Sequence, residues 1–181
     1  MEVITTPISG LVVLKPRVFS DARGYFFEAY SEREFARATG IDVDFVQDNQ
    51  ARSTYGVLRG LHFQRGEAAQ AKLLRVTEGR VLDVAVDIRE GSPTFGRHHA
   101  VELSADNFLQ FYIPRGFAHG YLVLSETAVV QYKADNYYAP EAEGGIIWND
   151  PAIGIDWPLP EERIVLSEKD TRWGLLKDTL L

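Results

Sequence analysis

Residues 81–88, which read VLDVAVDI, decide the fold class of this chain. Every even position from 82 to 88 carries a large aliphatic side chain, whereas the odd positions include Asp83 and Asp87. A period of two predicts a β-strand with one strongly apolar face and one mixed face. A carboxylate such as Asp83 that faces the inside of a β-barrel must be paired or belong to a site.

The same alternation recurs along most of the chain, between turn signals such as residues 21–24 (DARG) and 77–80 (TEGR). Eight further runs indicate strands at residues 11–14, 25–30, 43–47, 72–76, 100–103, 108–113, 121–124 and 128–134. Many short strands at this spacing favour an all-β fold. The fold class predicted is an antiparallel jelly-roll barrel with a few short helices.

Helix signals are few. Ser31 followed by Glu34 is a capping-box pattern, and Gly40 is typical of the residue after a helix C-terminus, so a helix is predicted between them. The tail after Ser167 is a second helix candidate.

The composition is that of an ordinary globular protein, with 45% apolar and 25% charged residues, and 181 residues predict a single domain spanning 1–181. The chain has no cysteine, which excludes disulfides and thiolate metal sites. Its net charge of −7 argues against nucleic acid as a partner, and an anionic ligand must be met by local arginines and lysines. No apolar run is long enough to cross a bilayer and no secretory signal is visible, so no membrane association and a cytoplasmic location are expected.

Two of the four histidines, His62 and His119, follow glycine-containing turns that open strand-like runs. Imidazole exchanges protons near neutral pH and also binds metals, so either acid–base chemistry or a metal site is indicated. A second metal ligand is missing where small β-barrels often carry it, because Gln64 stands two residues after His62. His98 and His99 are adjacent, so a strand would send them to opposite faces, and we expect both in a solvated turn. The sequence therefore favours acid–base chemistry without a metal.

A histidine is an effective base when a carboxylate holds its second ring nitrogen. Asp83 and Asp170 are both candidates for that carboxylate, and the sequence pattern does not choose between them. A tyrosine is the natural proton donor, and Tyr132 shares its predicted strand face with small and apolar residues that suit a cavity wall. These residues are the candidates for an acid–base site.

Cations for an anionic substrate are available at Arg23, Arg59, Lys72 and Lys169. Arg59 lies three residues before His62, so a regular strand would place the two side chains on opposite faces. Both can face one cavity only if Gly60 introduces a bulge, as glycine in a strand often does.

Taken together, these segments resemble one family, the dTDP-4-dehydrorhamnose 3,5-epimerases, nearly from end to end. The resemblance rests on residues 19–24 (FSDARG), 45–49 (FVQDN), 59–64 (RGLHFQ), 84–89 (VAVDIR), 114–120 (PRGFAHG), 132–138 (YKADNYY), 148–150 (WND) and 166–170 (LSEKD). It implies a cupin-like barrel that epimerises a dTDP-linked 4-keto sugar at C3 and C5. It also implies no metal, no cofactor and a homodimer, with N-terminal strands exchanged or added across the interface.

The resemblance also implies a role for individual residues. His62 is the expected base, Asp170 its orienting partner and Tyr132 the acid on the opposite face of the sugar. Lys72 is expected to stabilise the enolate oxygen that develops at the 4-keto group. The substrate-binding residues implied are Phe19, Arg23, Glu28, Gln47, Asn49, Arg59, His119, Tyr138, Glu143 and Lys169. Among these, Phe19 and Tyr138 are expected against the thymine.

Two alternative functions stay open at this point. One is an epimerase that acts on a related dTDP-4-keto sugar at a single centre. The other is a cupin-like module that binds a sugar nucleotide without turnover. An opposed base and acid argue against the second, because binding alone needs neither.

Overall fold

The computed structural model describes residues 1–179 and consists mainly of antiparallel strands. The strands in chain order are β1 (Glu2–Thr5), β2 (Val12–Lys15), β3 (Phe19–Asp21), β4 (Gly24–Phe26), β5 (Gln47–Thr54), β6 (Leu58–Gln64), β7 (Lys72–Glu78), β8 (Arg80–Asp87), β9 (His98–Ser104), β10 (Gln110–Ile113), β11 (Phe117–Val123), β12 (Thr127–Ala134) and β13 (Glu143–Gly145). The α-helix is α1 (Glu32–Thr39), and single 3-10 turns lie at Gly66–Ala68, Pro140–Ala142, Glu161–Arg163 and Leu176–Asp178.

Two sheets form the body of the fold. The six-stranded sheet has the order β1-β2-β10-β7-β12-β5, and the five-stranded sheet has the order β13-β6-β11-β8-β9. Strands β3 and β4 form a separate two-stranded hairpin. The predicted all-β jelly-roll class is therefore confirmed.

Strand β8 explains how the inside of the barrel becomes partly polar. Its odd-numbered face carries Val81 and Ala85, which pack with Leu74, Phe111 and other residues of the main core. Asp83 shares this inward face and is fully buried. The more aliphatic even-numbered face points outward and is covered by apolar residues of the segment 146–176. A polar cavity can therefore form inside the barrel without exposing the aliphatic face of β8 to water.

Helix α1 has the boundaries that its sequence predicts. The Ser31 hydroxyl accepts a hydrogen bond from the Glu34 backbone N–H at 3.4 Å, and Gly40 ends the helix with a left-handed φ of 72°. Phe35 is buried and packs edge-on against Tyr112, at 5.4 Å between ring centroids. The helix thus covers the outer face of the six-stranded sheet.

Two predicted strands differ from the structure. The strand expected at 25–30 ends at Phe26. The strand expected at 43–47 is replaced by β5, which begins at Gln47 and runs to Thr54. Strand β5 is an edge strand with mostly polar residues, and its position is set by pairing with β12 along its whole length, which hydrophobic alternation does not reveal.

Two other local predictions were wrong. His98 and His99 lie at the start of β9, not in a turn, because β9 continues the ladder with β8 up to the pair Val86–His98. Residues 168–179 contain no α-helix, only the 3-10 turn Leu176–Asp178. The backbone of this tail bonds to the barrel instead: the Gly174 carbonyl accepts from the Ile147 N–H at 2.9 Å.

Candidate active site

A cavity of about 750 Å³ opens between the two sheets and collects most of the expected site residues. Those that line it are Gln47, Asn49, Arg59, His62, Lys72, His119, Tyr132, Tyr138, Glu143, Lys169 and Asp170. They come from both sheets and from the C-terminal tail, so the site forms only when the whole chain is folded.

Strand β6 brings Arg59 and His62 to the same cavity through an irregularity at Gly60. His62 faces His119 of β11, whereas Arg59 faces Tyr121, so β6 has one residue more than β11 between these two pairs. Gly60 has a φ of +136°, and a Cβ atom there would lie 2.5 Å from the Cα of Gly120. The bulge that the sequence required at Gly60 is therefore present, and only glycine fits it.

His62 forms a close pair with Asp170. The Nε2 atom of His62 lies 2.5 Å from Oδ1 of Asp170, whose side chain is 3% exposed. Burial favours the neutral acid, but hydrogen bonds from His62, Ser167 and Trp173 overcome it and hold the pKa of Asp170 below its ordinary value. The carboxylate therefore stays ionised beside the imidazole. With Nε2 held, Nδ1 is the ring nitrogen left to act on a substrate.

The other candidate carboxylate, Asp83, belongs to His119. Both carboxylate oxygens of Asp83 lie 3.0 Å from Nε2 of His119, and both residues are buried. Of the two carboxylates that the sequence left open as partners of His62, the structure thus selects Asp170. His62 and His119 are cross-strand neighbours that both line the cavity, so the two histidine–carboxylate pairs lie side by side.

Lys72 and Tyr132 come from the facing, six-stranded sheet. The Nζ atom of Lys72 lies 5.6 Å from the centroid of the Tyr132 ring. Burial lowers the pKa of Lys72 to about 8, although the negative charges of Asp83 and Glu143 oppose this shift. Burial also raises the pKa of Tyr132, and the nearby Arg59 opposes that shift. The tyrosine is therefore protonated at neutral pH and able to donate.

The mouth of the cavity carries a connected set of polar side chains. Lys169 donates to Glu143 at 2.7 Å, and the Tyr138 hydroxyl donates to the other oxygen of the same carboxylate at 3.4 Å. The Gln47 side chain donates to Asn49 at 3.0 Å and accepts from the Tyr138 backbone N–H. These hydrogen bonds hold the polar side chains in place at the entrance of the cavity.

Three expected binding residues do not line this cavity, and their role in binding stays a prediction. Phe19 and Arg23 belong to the exposed β3–β4 hairpin, and Glu28 follows it. Arg23 pairs with Asp21 of its own hairpin at 2.5 Å, and Phe19 is 51% exposed. The hairpin forms a sheet of its own, so these residues cannot be placed from the strand pattern of the barrel.

Several cavity residues were not found from the sequence. They are Ala51, Val57, Leu58, Gln70, Tyr121, Val165, Leu166 and Ser167. Most are apolar wall residues whose sequence context is the same as that of a core strand. Trp173 was also missed, although it donates to Asp170 at 3.3 Å.

A second cavity, of about 440 Å³, lies on the outer face of the six-stranded sheet. Its polar side chains already satisfy one another: Arg75 donates to Gln131 at 2.8 Å, and Gln131 donates to Gln50 at 2.7 Å. None of the described residues that line it is a histidine. Tyr132 borders both cavities, but His62, His119 and Asp170 line only the larger one.

Within residues 1–179, no three histidine, aspartate or glutamate side chains converge as a ligand set for a metal. Gln64 donates to the carbonyls of Ala68 and Tyr137 and accepts from the Ala139 N–H, so its amide ties loops to β6. No helix in the described part of the chain is both long and apolar enough to cross a membrane.

Comparison with known proteins identifies one family. A family model described as dTDP-4-dehydrorhamnose 3,5-epimerase matches residues 5–178. A dTDP-4-dehydrorhamnose 3,5-epimerase from Salmonella typhimurium is 55% identical, with 100% of this chain and 98% of the relative covered. The crystal structure of such an enzyme from Elizabethkingia anophelis superposes with a TM-score of 0.94 at 55% identity, covering 98% and 97% of the two chains.

A further structure contains a sugar nucleotide. It is a dTDP-6-deoxy-D-glucose-3,5-epimerase from Legionella pneumophila in complex with dTDP-4-keto-L-rhamnose. Its TM-score to this chain is 0.94 at 48% identity, and 98% of this chain and 93% of that chain are covered.

Proposed function

This chain belongs to the dTDP-4-dehydrorhamnose 3,5-epimerase family, and we propose that it inverts C3 and C5 of dTDP-4-dehydro-6-deoxy-D-glucose to give dTDP-4-dehydro-L-rhamnose. One observation carries the mechanism that we assign. The carboxylate-paired His62 projects from one sheet and Tyr132 from the facing sheet, into the same cavity. A base and an acid on opposite walls can remove a proton from one face of a sugar and return one to the other.

The chemistry needs only groups that this cavity supplies. C3 and C5 both flank the C4 ketone, so removal of either proton places negative charge on the ketone oxygen. His62 takes the proton through the nitrogen that Asp170 does not hold, and Tyr132 returns one from the other side of the ring. The Lys72 ammonium stabilises the enolate oxygen formed in between. No electrons are transferred, and each inversion conserves the atoms of the sugar apart from a proton exchanged with solvent.

Binding of the nucleotide diphosphate must overcome the chain's net charge of −7. Arg59 and Lys169 line the cavity and are the cations that we assign to this task, with Gln47, Asn49 and Glu143 as neighbouring polar contacts. The Legionella relative, which binds dTDP-4-keto-L-rhamnose, supports a ligand of the same class here.

We propose further that the chain acts as a homodimer and that the β3–β4 hairpin of one subunit completes the cavity of the other. The hairpin exposes Tyr25 at 60% and Phe26 at 70%, and exposed aromatic clusters of this kind mark interaction surfaces. This arrangement would bring Phe19, Arg23 and Glu28 to a site that they do not reach within their own chain.

Subunit complementation tests this arrangement. Co-expressed Arg23→Ala and His62→Asn chains give mixed dimers. If Arg23 acts across the interface, one site of each mixed dimer carries both substitutions and the other carries neither, so activity returns. If Arg23 acts within its own chain, both sites stay damaged and the mixture is as inactive as either variant.

The reaction itself is tested in deuterated water with dTDP-4-keto-6-deoxyglucose as substrate. NMR should reveal deuterium at both C3 and C5 of the product. Exchange at one carbon only would indicate the single-centre epimerase, and binding without exchange would indicate a non-catalytic module. We also propose that residues 1–181 act as one domain and that the protein is cytoplasmic. The nucleotide-linked substrate supports the cytoplasmic location.

A further inference from the structure

We propose that Trp173 is a positioning residue that holds the Asp170 carboxylate in place for His62. Its indole Nε1 donates a hydrogen bond to Oδ1 of Asp170 at 3.3 Å. This oxygen is the same one that contacts Nε2 of His62. The inference rests on the proposed roles of His62 and Asp170, and it adds a third group to that pair.

A carboxylate held by one partner can still rotate about its Cβ–Cγ bond. Two N–H donors that converge on one oxygen from different elements fix both its position and its orientation. Here His62 comes from β6 and Trp173 from the C-terminal tail. The Asp170 backbone N–H also bonds to the Ser167 hydroxyl at 3.2 Å, which anchors the turn that carries the carboxylate.

The indole ring is held beside His62 by close packing. The two rings meet edge to face, with their centroids 6.2 Å apart and a 68° interplanar angle. Gly145 of β13 is the cross-strand neighbour of His62, and a Cβ atom on Gly145 would lie only 2.3 Å from two carbons of the indole. The absence of a side chain at Gly145 therefore makes the space that Trp173 occupies.

Backbone hydrogen bonds on the C-terminal side of Trp173 fix the segment. The Gly174 carbonyl accepts from the Ile147 N–H at 2.9 Å, and the buried Asp150 accepts from the Leu176 N–H at 2.6 Å. Trp173 is thus placed by contacts on both sides, and its N–H reaches Asp170 from a fixed position. Such support is what keeps a catalytic pair at a constant distance.

The sharpest test removes only the N–H. Replacing Trp173 with 3-benzothienylalanine keeps the bicyclic ring and substitutes sulfur for the N–H. We expect kcat to fall about tenfold, the effect of one lost hydrogen bond to a charged group, while KM and dTDP affinity stay nearly unchanged. Trp173→Phe should lower kcat at least as much.

The pH profile separates positioning from a merely structural role. The charged groups around Asp170 are His62 and Lys169. Although burial opposes the shift, hydrogen bonds, one of them from Trp173, hold the pKa of the Asp170 carboxyl below its ordinary value, so we expect the ionisation of this carboxyl to contribute to the acid limb of kcat/KM. Losing a donor to the carboxylate destabilises its ionised form, so the acid limb should move to higher pH. Trp157→Phe is the matched control, because the Trp157 N–H donates to the Trp148 carbonyl at 2.9 Å, away from the pair. Trp157→Phe should lower thermal stability without moving the acid limb of kcat/KM.

A double-mutant cycle uses Gly145. Gly145→Ala should displace the indole and lower kcat in the wild type but have much less effect in Trp173→Phe. Additive effects, or a benzothienylalanine enzyme with an unchanged kcat and acid limb, would overturn the inference. The inference would also be overturned if the variants lost kcat only in proportion to their loss of thermal stability and the acid limb of kcat/KM did not move. If Asp170→Asn kept the full rate, the proposed roles of His62 and Asp170 would be wrong. If Asp170→Asn lost activity but the Trp173 variants did not, only the role of Trp173 would be wrong.

Discussion

The Nε2 atom of His62 lies 2.5 Å from Oδ1 of Asp170, although 108 residues separate the two along the chain. Asp170 lies in a turn of the C-terminal tail that begins at Ser167, and the tail crosses the end of the barrel where His62 opens into the cavity. The catalytic pair that we propose therefore depends on the docking of this tail.

Asp170→Asn tests the pair directly. The asparagine keeps the size of the side chain but removes the negative charge that supports a proton on His62. We expect kcat to fall by about 10²-fold or more, because the base loses both orientation and charge support, with dTDP affinity nearly intact. Glu168→Gln is the control, since Glu168 is exposed two residues earlier and pairs with Arg172. Equal rates for the two variants would argue against the pair.

Tyr132→Phe separates proton removal from proton return. His62 and Asp170 are untouched in this variant, so deuterium from solvent should still enter the sugar. Net inversion should fall sharply, because the proposed proton donor on the facing sheet has been removed. The measurement is NMR of the sugar in deuterated water, with Tyr137→Phe as a control because Tyr137 is 67% exposed and does not line the cavity. Inversion at the normal rate would make Tyr132 a structural residue.

Arg59→Ala tests the anion site. Arg59 lines the cavity and donates to Ser53 at 3.0 Å, so its guanidinium is already held in one place. A charge-assisted contact of roughly 1.5–3 kcal/mol corresponds to a loss of about ten- to a hundredfold in dTDP affinity. Calorimetric titration measures it, and Arg52→Ala, at an exposed position outside the cavity, should bind dTDP normally.

Sequence periodicity was sufficient to predict the strands of the barrel, but it did not predict how the β3–β4 hairpin or the C-terminal tail is placed. The alternation in β8 and the glycine at position 60 determine local geometry, so the strand and the bulge could be predicted from neighbouring residues. Strand β5 is polar on an edge, and its limits depend on β12 rather than on its own pattern.

The site could be predicted in part for the same reason. His62, Lys72 and Tyr132, which the family resemblance singled out, lie on barrel strands and line one cavity, and their roles stay predictions. The choice of Asp170 over Asp83 depends on a contact between distant segments, which local pattern left open and the resemblance supplied. Trp173 could not be found from a local motif, because its contact with Asp170 depends on the space left by Gly145, which is distant in the chain.

Chelation should leave turnover unchanged. Gln64 stands where a second histidine ligand would be needed, and its amide is engaged with the Ala68 and Tyr137 carbonyls. Activity is compared before and after prolonged dialysis against EDTA. A loss of activity that a divalent ion restores would contradict the metal-free mechanism.

The alkaline limb of activity should report Lys72. Burial lowers the pKa of Lys72 to about 8, opposed by Asp83 and Glu143, whereas an exposed lysine titrates near 10.4. The ammonium is the form that stabilises the enolate oxygen, so kcat should be maintained below pH 8 and fall as the pH rises through that value. Lys72→Arg keeps a positive charge throughout this range. We therefore expect Lys72→Arg to be slower at neutral pH and to show no fall in kcat near pH 8. The control is Lys133→Arg, which changes a lysine on the outer face of the same sheet. This variant should retain the alkaline limb. A limb that persists unchanged in Lys72→Arg would assign the titration to another group and remove Lys72 from its proposed role.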